Sequence, residues 1–142
     1  MIQYPLFFPV QSKATSGVES SWKTQTSDTP LTTAIPPEFE GKGGGFSPED
    51  YFGMALLNCF IATFKVVAEK SKLGFNEIEA KGNLSVDRNE KGNPVMKSFD
   101  MSVTLHGAQD VERAKRLLEK TSQLCMIHQS VKTEIKIEFH VS

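Results

Sequence analysis

Between Tyr51 and Phe64 the chain carries no charge, and its apolar residues do not keep to one stripe. Tyr51, Phe52, Met54, Leu56, Leu57, Phe60, Ile61 and Phe64 fall on every face of a helix. The flanks supply its ends. Ser47 reads as the N-cap, Pro48 as the first helical residue, and Asp50 stands three after the cap, as in a capping box. Lys70 and Lys72 suit a helix C-terminus, and Gly74 offers a left-handed stop. The pattern predicts a long central helix over residues 48–73. A helix apolar all round asks for burial all round, so a second subunit is expected to cover part of it.

Beyond Gly74 the period changes from 3.6 to 2. Ile78, Ala80, Gly82, Leu84 and Val86 alternate with polar residues, then Val95, Phe99, Met101, Val103 and Leu105 do so again. Arg88 to Pro94 is the turn between them, which predicts a hairpin over residues 76–106. A second helix is predicted over residues 108–124. Its inner stripe is Val111, Ala114, Leu118, Thr121 and Cys125, at helical spacing. Ile135, Ile137, Phe139 and Val141 predict a half-buried strand over residues 133–141. Ahead of the central helix, residues 1–35 predict two or three short strands, with Val18 and Trp22 as anchors. The glycine-rich loop from Glu38 to Phe46 lacks the Gly-Lys-Ser/Thr ending of a phosphate-binding loop and reads as a flexible lead-in. The order predicts one α+β domain over residues 1–142, with a mostly antiparallel sheet on helices.

Composition narrows the function classes. The 142 residues hold 39% hydrophobic residues and a net charge of -1, ordinary for a globular chain and without a basic footprint for nucleic acid or anionic membrane. No run of 18 apolar residues is present, so no membrane span is expected. The apolar start from Ile2 to Val10 has no basic flank and is broken by Pro5 and Pro9, a poor signal peptide. A cytoplasmic location is expected, where the two cysteines rest reduced.

Those cysteines are the candidate chemistry. Cys59 lies mid-helix and Cys125 at the inner end of the second helix, and neither is in a C-x-x-C pair. Buried cysteine is often mere packing. A reactive Cys59 must ionise, gains nothing from a helix N-terminus, and needs a cation or hydrogen-bond donor from elsewhere in the fold. His106, His128 and His140 have no metal-ligand spacing, and His128 three after Cys125 is no zinc site. No metal and no cofactor are expected.

Gly43-Gly44-Gly45-Phe46-Ser47-Pro48-Glu49, then Cys59-Phe60 ten residues after the glutamate, then Leu124-Cys125 at a helix end, resemble the osmotically inducible protein C / organic hydroperoxide resistance family, in its OsmC-like branch. The resemblance covers residues 35–142 well. It implies an intertwined α+β homodimer, with sheets wrapped around the central cysteine helix. It also implies thiol-dependent reduction of organic hydroperoxides, with a dithiol as reductant. Cys59 would then be the peroxidatic thiolate, Cys125 the thiol that resolves its sulfenic acid as a disulfide, and Glu49 the glutamate that holds an activating arginine. Phe60, Phe64 and Met126 are the implied apolar lining for the substrate.

Two departures stand out. Where the family arginine is expected, the chain reads Ser16-Gly17-Val18-Glu19, and Met126 rather than proline follows Cys125. Glu49 and Cys59 also lie about 15 Å apart along one helix. Either the helix breaks near Gly53, or Glu49 of one subunit serves Cys59 of another. The competing reading is a non-catalytic dimer, binding a small molecule or purely structural, with inert buried cysteines.

Overall fold

The computed structural model describes residues 3–15, 19–26 and 29–142, which leaves Ile2, Val18 and the Ser16–Val18 stretch outside the described residues. The chain forms two compact units, Met1–Tyr51 and Phe52–Ser142.

In the first unit, β1 (Gln11–Lys13), β2 (Trp22–Gln25) and β3 (Pro30–Thr33) form an antiparallel sheet in that order. Its Ser/Thr richness has a structural use. Ser12 Oγ donates to Thr24 Oγ1 at 3.0 Å, Thr24 Oγ1 bonds Thr33 Oγ1 at 2.7 Å, and Thr33 Oγ1 bonds the Tyr51 hydroxyl at 2.8 Å. The glycine loop is pinned, contrary to the flexible lead-in expected. Gly41 N–H donates to Pro36 O at 3.0 Å, Gly43 N–H to Ile35 O at 3.1 Å and Phe46 N–H to Thr32 O at 2.9 Å. Those amides are already engaged within the loop, which removes them from any phosphate cradle.

Helix α1 (Pro48–Lys70) starts at a reciprocal capping box: Ser47 N–H donates to Asp50 Oδ2 at 2.9 Å and Asp50 N–H to Ser47 Oγ at 3.0 Å. It ends earlier than predicted, and not at Gly74. Lys72 takes the left-handed conformation (φ 55°), Leu73 N–H bonds Ala68 O at 2.9 Å, and Lys72 N–H bonds Glu69 O at 3.1 Å. That is a Schellman stop made by a lysine, and the buried Leu73 that follows holds it in place. Within the chain α1 buries one stripe, Leu56, Phe60, Phe64, Val67 and Ala68, while Met54 and Val66 stay exposed. By length and composition alone α1 is apolar enough to cross a membrane. The core helix of a folded domain meets the same criterion, and this helix carries the buried centre of the second unit.

That unit is built on β4 (Glu77–Arg88), β5 (Pro94–His106) and β6 (Glu134–Val141), in spatial order β4-β5-β6. β4 and β5 form the predicted antiparallel hairpin. β6 pairs with β5 in parallel, a feature the linear pattern did not reveal. The intervening segment holds α2 (Val111–Leu124) and the short α3 (Met126–Gln129), long enough for the crossover that parallel pairing requires. α2 begins later than predicted because Asp110 is its N-cap, accepting the Arg113 N–H at 3.1 Å. Phe99, Met101, Val103 and Leu105 of β5 join Leu56, Phe60, Phe64 and Ala68 of α1, Ala114, Leu118 and Cys125 in one core.

Gly82 shows how tightly this core closes. A Cβ there would meet the Phe99 ring at 2.2 Å, and the same ring lies 3.7 Å from the Cβ position of Gly53 on α1. Gly82→Ala is expected to cost about 1–3 kcal/mol by overpacking. Urea unfolding should show that loss, and Phe99→Leu in the same chain should reduce it. An unchanged midpoint would contradict the packing.

Candidate functional site

Cys59 sits on α1 beside the buried stripe. Leu56 and Phe60 flank it and are fully buried, whereas Cys59 is half-buried. Cys125 lies where α2 ends and α3 begins. Its φ of -64° and ψ of 107° break the helix there, its N–H still donates to Thr121 O at 2.9 Å, and its carbonyl accepts Gln129 N–H at 3.1 Å. It is completely buried. Both thiols are free, and Cys59 lies near enough to Cys125 to push its thiol up. The fold thus brings together two cysteines from separate helices, which spacing alone left open.

Ile127 N–H, in the first turn of α3, points at Cys59 Sγ from 3.5 Å. First-turn amides have no partner within their helix, so this one is free to serve a sulfur. Thr63 Oγ1 stands 4.0 Å from Cys59 Sγ, but its proton goes to the Cys59 carbonyl at 2.7 Å, so it can only accept from the thiol. Among the described residues, no lysine or arginine hydrogen-bonds to Cys59.

Cys125 behaves differently. Burial pushes its thiol up from 9.0 to about 12, and the neighbouring Cys59 pushes the same way. The backbone N–H groups of His128 and Ile127 pull it back only in part. Cys125 is therefore held as a thiol across the physiological range.

The α3 turn is anchored to α1 by His128, a residue sequence reasoning passed over. Its Nε2 lies 2.7 Å from Leu56 O, and its ring stacks on Phe60 with centroids 6.2 Å apart. The signal was present in the spacing: His128 stands three residues after Cys125, one helical turn on. Glu49 lies in the first turn of α1, half-buried, with Oε1 buried and without a hydrogen-bond partner among the described residues. α1 runs unbroken through Gly53, so a kink does not bring Glu49 to Cys59 of the same chain. Of the implied apolar lining, Phe60 and Phe64 present no surface in the single chain, while Met126 is exposed. Among the described residues, Glu77, Glu79 and His106 form one group of metal-ligand type on the outer face of the β4–β5 hairpin. It is a cross-strand set invisible in linear spacing, and His106 Nε2 lies 3.7 Å from a Glu79 carboxylate oxygen.

Residues 41–140 match the family of OsmC-like proteins, and the chain belongs to that family. A curated relative, the uncharacterized protein YmaD of Bacillus subtilis, is 26% identical over 113 residues, 77% of this chain and 75% of that protein. An OsmC-like protein of unknown function from Vibrio cholerae superposes with a TM-score of 0.84 at 14% identity, covering 95% of this chain and 99% of that one. An organic hydroperoxide resistance protein OsmC from Legionella pneumophila superposes at 0.74 with 20% identity, covering 97% and 99%. At such identities the likeness to the solved structures is one of fold.

The elevated Cys125 thiol has a stability consequence. Its folded value lies above the unfolded one, so the stabilisation is complete below about pH 9 and is lost as pH rises through about 12. The stability gap between wild type and Cys125→Ala should therefore narrow over that range in chemical denaturation. A gap independent of pH would contradict the assignment.

Proposed function

We propose that the chain is a thiol-dependent peroxidase that reduces organic hydroperoxides. The observation that carries this reading is that Cys59 meets the buried corner that carries Cys125, with the Ile127 N–H aimed at its sulfur from 3.5 Å. The half-buried Cys59 is the attacking group, since Cys125 is sealed and held protonated. Cys59 thiolate attacks one peroxide oxygen and the O–O bond breaks. The alkoxide leaves with a proton as the alcohol, and Cys59 becomes sulfenic acid. Cys125 then attacks the sulfenic sulfur, its proton leaves with the hydroxyl as water, and a Cys59–Cys125 disulfide forms. An external dithiol restores both thiols by exchange, becoming a disulfide itself. Reduced cysteines and a dithiol partner suit the cytoplasm.

A hydrogen bond stands in for the missing arginine in this scheme. A bond to a charged acceptor contributes about 1.5–3 kcal/mol, so the Ile127 N–H supplies part of the activation without a cation. The rest of the site comes from a second copy of the chain. Met54 and Val66 leave an apolar face on α1 that a partner would cover. Glu49 would serve the partner's site rather than its own, a reading supported by its orphaned buried oxygen and its unbroken helix. The name of the Legionella relative, an organic hydroperoxide resistance protein, points to the same substrate class.

Dithiol-dependent consumption of an organic hydroperoxide tests the reading. Wild type should turn over, Cys59→Ser should fall to background, and Cys125→Ser should stop after one equivalent with Cys59 as sulfenic acid. Background rates in wild type and Cys59→Ser alike would leave the non-catalytic dimer in its place.

A further inference from the structure

We propose that His128 is the positioning residue of the thiol pair, a latch that holds the α3 turn on α1 so that Cys125 and the Ile127 amide both reach Cys59. The inference rests on the peroxidase reading for its catalytic meaning, but its geometry stands apart from it. A carbonyl can only accept, so the 2.7 Å contact to Leu56 O puts the proton on His128 Nε2. The ring also stacks on Phe60. Leu56 and Phe60 bracket Cys59 on α1, three residues before it and one after. His128 therefore grips the very turn of α1 that carries the attacking sulfur.

The other side of the latch is equally short. Ile127, whose N–H points at Cys59, is the residue before His128, and Cys125 is one turn earlier. Within α3 the turn is closed by Gln129 N–H to Cys125 O at 3.1 Å, Ser130 N–H to Ile127 O at 3.0 Å and Ser130 Oγ to Met126 O at 2.8 Å. These bonds make α3 move as one piece with Cys125. A four-residue helix is too short to hold itself. Of its other side chains, Ile127 packs on the core without directional preference, and Met126 and Gln129 are exposed. Without the His128 contact, the corner would keep only the longer Ile127 N–H bond to Cys59 as a directional tie to α1, and the two sulfurs would share a narrower part of the ensemble.

Equilibration with glutathione tests the latch without peroxide. Oxidised glutathione takes two electrons from the pair: the Cys59–Cys125 disulfide forms and two molecules of reduced glutathione are released. The effective concentration of one thiol toward the other is read as the disulfide fraction, by alkylation and mass, for wild type and three variants. His128→Ala and His128→Phe should lower it about tenfold, the equilibrium weight of one hydrogen bond. His128→Gln, which keeps a donor for Leu56 O, should recover most of the loss. His128→Phe keeps the ring and the packing, so it decides the matter if His128→Ala fails to fold. Wild-type values for both His128→Phe and His128→Ala would overturn the proposal, as would a folded His128→Gln no better than His128→Phe. A chain that reduces no hydroperoxide but shows a His128-dependent couple would fail the peroxidase reading alone.

Discussion

The rotation of α1 about its own axis is the constraint on which the site depends. It is set by Leu56, Phe60 and Phe64, which recur at helical spacing and are fully buried against the β4-β5-β6 sheet and α2. Each such side chain contributes about 1.5–3 kcal/mol, against about 0.5–1.5 kcal/mol for an ordinary hydrogen bond. The apolar stripe therefore decides where Cys59 goes. One residue from Phe60, it lands at the edge of the buried stripe, close enough to the α2–α3 corner to meet Cys125 yet not sealed as Cys125 is. The asymmetry between the thiols follows: an edge sulfur that accepts a backbone N–H, and a core sulfur held protonated.

The same stripe leaves a mismatch. α1 is apolar on every face but buried on one. In the proposed dimer the uncovered face of α1 meets a second copy, which would also carry Glu49 to a place its own helix cannot reach. Hydrophobic closure and completion of the site then become a single event. In that proposal, a thiol that relies on a hydrogen bond rather than a cation gains from such closure, because exclusion of water strengthens the bond.

Much of this was legible in the residues. Periods of 3.6 and 2 marked both helices, the hairpin and the last strand, and the Ser47/Asp50 capping box read directly. The inner stripe through Thr121 put Cys125 in the core, where it is. What escaped were features made by contact rather than period. Lys72 replaced Gly74 as the helix stop because Leu73 is pulled into the core. The parallel β5–β6 pair depends on a crossover that no local alternation encodes. The glycine loop looked slack because its partners, Thr32, Ile35 and Pro36, precede it by several residues. His128 was passed over because a lone histidine was weighed only as a metal ligand, whereas its role is a bond to a backbone carbonyl on another helix.

Peptide mapping after one equivalent of an organic hydroperoxide tests the thiol chemistry most directly. The protein should yield one cross-linked species, the Cys59 and Cys125 peptides joined within a single chain, with two hydrogens lost and both masses restored by a dithiol. Two free thiols after peroxide, or Cys59 carried on to sulfinic acid with Cys125 untouched, would contradict it.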